Sequence, residues 1–84
     1  MSDITPGWKN VSIGFQSDFI SLDGLNPWRL NWHELEEPPI TVAHPSYPQQ
    51  RHAMWVYELR GENKTVKFAA GEFSNGVWGF YIPA

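Results

Sequence analysis

Three histidines, His33, His44 and His52, and the carboxylates Glu34, Glu36, Glu37 and Glu72 are the side chains of this chain best suited to chemistry. Zinc needs three or four nitrogen or sulfur ligands at characteristic spacing, and the histidine separations match no such pattern. Cysteine is absent, which removes thiolate catalysis, disulfides and cysteine-ligated metal. Paired carboxylates act as acid and base when one is desolvated. Glu36 and Glu37 stand beside Pro38-Pro39, which reads as a solvated turn, and Glu72 reads as an outward-facing strand residue. A hydrolase or metal-dependent enzyme built from His33, His52 and a glutamate is the one catalytic arrangement left. No serine lies in a GxSxG elbow, and no glycine-rich phosphate loop appears. No catalytic residue, cofactor or metal ligand is assigned, and binding is favoured over catalysis.

The aromatic residues carry the stronger signal. They make up 15% of the chain, with five Trp, five Phe and three Tyr. Bulky rings let a small chain fill a core, and exposed ones mark interfaces and ligand platforms. Two groups stand out as candidate binding residues. Trp28 and Trp32, flanked by Arg29, Asn31 and Glu34, could stack a saccharide or another small ligand. His44, Tyr47, Arg51 and His52 frame a proline-stiffened stretch, HPSYPQQ, which would lose little entropy on meeting a partner.

These residues need a scaffold, and the C-terminal stretch KTVKFAAGEFSNGVWGFYI supplies its clearest part. Asn75-Gly76 between two apolar runs is a strong hairpin signal. A two-residue type I′ turn would pair Ser74 with Val77, Phe73 with Trp78, Gly71 with Phe80 and Ala69 with Ile82. A three-residue loop with Gly76 in αL would instead set Glu72 opposite Trp78, and the first register is the one expected. Residues 51–59 form the longest strand, with apolar residues on both faces, as a central strand requires. Strands over 51–59, 65–73 and 77–82 make a meander.

Further strands are expected over 11–15, 19–22 and 40–43, with a turn at 16–18. The segment 28–37 reads as a strand carrying Trp28, Leu30 and Trp32 on one face. Its alternative is a helix capped by Asn26 with Pro27 at the first helical position. The fold expected is all-β: a small antiparallel barrel or two-layer sandwich of about six or seven short strands with a C-terminal meander. The alternative is α+β with one helix at 27–37.

Eighty-four residues make one domain, 1–84, with an N-terminal arm over 1–10. The apolar share of 42% places the chain among folded rather than disordered sequences. A net charge of −3 without a basic cluster argues against nucleic acid as a partner. No leader-like segment or long apolar run is present, so no membrane is expected and the location expected is cytoplasmic. The function expected is a non-enzymatic binding or protein-interaction module for another protein or its own copy. Small-molecule or saccharide binding on an aromatic platform is the alternative.

Overall fold

The computed structural model describes residues 4–16 and 19–84. The described residues are all-β, with six antiparallel strands in one sheet: β1 (Trp8–Gly14), β2 (Trp32–Glu34), β3 (Ile40–Ala43), β4 (Arg51–Arg60), β5 (Thr65–Ser74) and β6 (Val77–Pro83). The meander is present as expected: β4 pairs with β5, β5 with β6, and β1 adds to the far edge of β6. The other edge of β4 carries two short strands in succession. Its first half pairs with β3 and its second half with β2. Pro38 and Pro39 separate them, because neither has an N–H to continue the ladder.

Two cores form, one on each side of the meander. On the first face Val56, Ala69 and Tyr81 stand side by side in register and join Ile40, Val42, Met54 and Phe73. This face is roofed by β3 and by the chain entering β1, through Ile4 and Trp8. Ile4 bridges Val42, and the Thr5 N–H donates to the Thr41 carbonyl at 3.0 Å, so the arm ties the two ends of the sheet together. On the second face Leu59, Val66, Phe68, Ala70 and Phe80 are covered by Leu22, Leu25, Trp28, Leu30 and Trp32. Apolar residues on both faces of β4 are thus explained: each side has its own roof.

The C-terminal hairpin turns where expected but in the other register. Ser74 opposes Val77, yet an irregularity follows and sets Glu72 opposite Trp78, Gly71 opposite Gly79 and Ala69 opposite Tyr81. Among the described residues Asp23 is the only non-glycine with positive φ, so Asn75 does not adopt a type I′ turn. Gly76 alone is left-handed, with φ 74°. The shift sends Phe73 to the first face, where it is 8% exposed, and leaves Trp78 and Phe80 on the second. It also lets the Glu72 carboxylate accept the Gly76 N–H at 2.8 Å. Burial of Phe73 and this capping bond favour the longer loop.

The left-handed pair lies instead at Asp23-Gly24, with φ of 53° and 90°. It closes reciprocal hydrogen bonds between Leu22 and Leu25, which is all that the strand expected over 19–22 becomes. The expected strand over 28–37 contracts to β2. Asn26 Oδ1 accepts the Trp28 N–H at 2.8 Å and the Asn26 carbonyl accepts the Arg29 N–H, a turn for which Asn and Pro27 are well suited. That turn replaces the helical alternative too. Residues 17–18 of the turn expected at 16–18, and residues 1–3 of the arm, lie outside the described residues. No helix among the described residues is long and apolar enough to cross a membrane.

Burial has a pH consequence. Desolvation, reinforced by the Glu34 carboxylate, raises the Tyr57 phenol above its ordinary range. Desolvation also raises Tyr81, partly offset by a hydrogen bond with Asn10. A raised phenol in the fold means that the unfolded chain loses its proton first. Stability is therefore complete below about pH 10 and falls as pH rises through the folded values. For Tyr81, which is 2% exposed, the slope is at most about 1.4 kcal/mol per pH unit. Urea midpoints measured alongside tyrosinate absorbance should show this decline, and Tyr81→Phe should flatten it. An unchanged slope in that variant would contradict the assignment.

Candidate binding surface

The aromatic group on the second face is a packed cluster. Trp28 and Trp32 are half-buried, 5.6 Å apart and tilted by 43°. Both meet Trp78 and Phe80 edge-on, at 5.3–5.7 Å. Trp32 also packs on Tyr57 and Phe68 and donates its indole N–H to the Pro27 carbonyl at 2.6 Å. Edge-to-face contact favours the ring quadrupoles and holds the rings in the core. The two rings are brought together as the sequence suggests, but not as a coplanar platform.

The second group gathers at the end of the β3–β4 hairpin. His44 follows β3, and its Nδ1 accepts the N–H groups of Ser46 and Tyr47 at 3.0 and 3.2 Å. An Nδ1 that accepts twice leaves the proton of the neutral ring on Nε2. His44 stands 5.1 Å from Tyr47 and 5.4 Å from both His52 and Phe73. His52, opposite Val42 on β4, meets Phe73 at 5.3 Å and keeps a buried Nε2 without a hydrogen-bond partner. Tyr47 is 54% exposed, and Arg51 is exposed opposite Ala43. His44, Tyr47, Arg51 and His52 thus share one end of the fold, with His44 and His52 packed on Phe73 on the other side of the sheet from the tryptophan cluster.

The catalytic arrangement does not assemble. His33 opposes Glu58 near the far end of β4 from His52. Six residues of extended chain separate those positions on β4, about 20 Å, far beyond proton-transfer reach. Glu58 pairs with Arg60, and Glu37 with Lys67. No group of three or more His, Cys, Asp or Glu capable of holding a metal occurs among the described residues.

The strand expected over 11–15 is present as β1, which begins earlier and takes in residues 8–10 of the expected arm. Sequence reasoning missed the exposure of its apolar residues. Val11, Ile13 and Phe15 are 37%, 43% and 72% exposed. Ile13 opposes Gly79, where an added Cβ would meet Phe73 and Tyr81, so it stands on the first, inward face. Beside it runs a cleft of about 230 Å³ between β1 and β3. Ile4, Asn10 and Ile13 form one wall, Ala43, His44 and the loop prolines Pro45 and Pro48 the other, and Tyr81 lines it as well. The alternation in VSIGF is a strand signal, but it does not say that the roof stops short of this end. Trp55, on a strand that carries apolar residues on both faces, is 49% exposed on the second face. No protein-family model, curated protein or solved structure matches this chain.

Proposed function

We propose that this chain is a non-enzymatic binding module for another polypeptide, its own copy included. One observation carries the reading: β1 exposes Val11 and Ile13, followed directly by the exposed Phe15, along a strand paired with β6 alone among the described residues. An open strand edge with apolar neighbours is a template for another chain, which natural proteins otherwise shield with charge or cover. The exposed Tyr47, in the same loop as the cleft prolines Pro45 and Pro48, adds an aromatic, a frequent anchor at interfaces.

An unbiased library of displayed polypeptides, combined with amide spectra at rising protein concentration, tests this reading. Selected polypeptides, or concentration-dependent shifts, that map to β1 or the 44–52 segment are the expected result. A library that yields no binder, together with spectra independent of concentration, would refute it.

A further inference from the structure

We infer that the cleft between β1 and β3 is a strand-insertion slot. An extended peptide pairs there with the open edge of β1 and seats one apolar side chain against Tyr81, His44 and the loop prolines. The inference rests on the binding-module reading and names the partner's chemistry.

The argument begins with an incomplete roof. Ile13 stands on the face that carries the first core, yet it is 43% exposed, and Phe15, which lies over Gly76, is 72% exposed. Along the rest of this face β3 and the arm provide cover: Ile4 meets Val42, and Thr41 exchanges hydrogen bonds with Thr5. That cover ends at Ala43, where the chain turns away into the 44–50 loop. The cleft opens at this point, with β1 on one side and the end of β3 on the other. A chain running through it would extend the ladder from β1 and complete the roof over Ile13.

The lining decides what enters. Ile4, Ile13, Ala43, Pro45 and Pro48 are apolar, and among the described residues no Asp, Glu, Lys or Arg lines the cleft. A charged side chain would lose its hydration there without compensation, whereas an aliphatic one gains from burial. Strand addition combines main-chain hydrogen bonds for affinity with a pocket for an alternate side chain.

Area separates a peptide from a second folded copy. The exposed parts of Val11, Ile13 and Phe15 amount to on the order of 300 Å², against about 800 Å² per partner in a standard protein interface. A folded copy meeting this row alone falls short. A peptide inside the slot contacts β1, the 44–48 segment and Tyr81 together, so it buries more of itself per residue.

The probe is a pool of capped, lysine-flanked peptides in which threonine alternates with Ala, Val, Leu or Phe, titrated into the full chain. The lysines keep the peptides soluble and suit a protein of net charge −3. The expected result is shift changes and slowed amide exchange in β1 and at residues 43–48, with the alanine peptides binding at least tenfold more weakly. Ile13→Lys should weaken binding by tenfold or more, whereas Trp55→Lys, on the opposite face, should leave it unchanged. Thermal melting of both variants confirms that they fold. If Ile13→Lys does not fold, Ile13→Thr, which shortens the side chain without adding charge, serves in its place.

Peptides that bind but map to Trp55 would overturn the slot while leaving the binding-module reading in place. So would self-association through β1 with no peptide bound. If the pool fails but the displayed library succeeds elsewhere on the surface, the slot falls alone. Failure of both removes the reading with it.

Discussion

Phe68→Ala should bring the protein close to unfolding at room temperature. Phe68 is fully buried on β5, opposite Tyr57. Its ring is met edge-on by Trp32 at 5.3 Å, lies 5.7 Å from Tyr57 and stacks on Phe80 at 6.1 Å. Truncating such a ring removes its transfer free energy and leaves a cavity that rigid aromatic neighbours cannot close, a loss of about 3–5 kcal/mol. A chain of this length holds roughly 4–12 kcal/mol in total, so one residue carries a large share. The expected melting midpoint falls by about 15–30 °C. Phe15→Ala, on a ring 72% exposed, should change stability by less than about 1 kcal/mol. Equal losses in the two variants would mean that the second-face core is not centred on Phe68.

The contrast between these two phenylalanines shows what a linear pattern conveys. The meander was legible because long alternation, the polar loop at 61–64 and Asn75-Gly76 all agree on the same three strands. The short strands were less so. Trp28, Leu30 and Trp32 alternate like a strand, but Asn26 and Pro27 impose a turn, and only the last of the three enters β2. The hairpin register depended on Phe73, which either face could have accepted. The first face took it because His44 and His52, distant in sequence, supply the rings it packs against.

The candidate site follows the same logic. His44, Tyr47, Arg51 and His52 are near in sequence, and a hairpin is enough to bring them together. Trp28 and Trp32 are also neighbours, but their partners Trp78 and Phe80 come from the other end of the chain and turn a possible platform into core. The open row on β1 was hidden for the opposite reason. Exposure of Ile13 depends on where β3 stops, and nothing within VSIGF encodes that.

Gly79→Ala should be the most damaging methyl that can be added to the sheet. Gly71 and Gly79 face each other across β5 and β6 and leave a shallow bay on the first face. A Cβ on Gly79 would come within 2.6 Å of Phe73 Cε2 and 3.0 Å of Tyr81 Cε1. Both rings are almost fully buried, and Phe73 is held from behind by His44 and His52, so neither can swing clear. The expected cost is about 2–3 kcal/mol, a midpoint lower by roughly 10–20 °C. At Gly71 the nearest obstacle is the Met54 thioether, at 2.5 Å, whose flexible chain can yield, although the Ala53 carbonyl at 3.2 Å limits the relief. Gly71→Ala should accordingly cost less than Gly79→Ala. Combining Gly79→Ala with Phe73→Leu should recover part of the loss, giving a favourable coupling energy in a double-mutant cycle. Strict additivity would show that the Phe73 ring does not lie over Gly79, and the reason for the shifted hairpin register would fall with it.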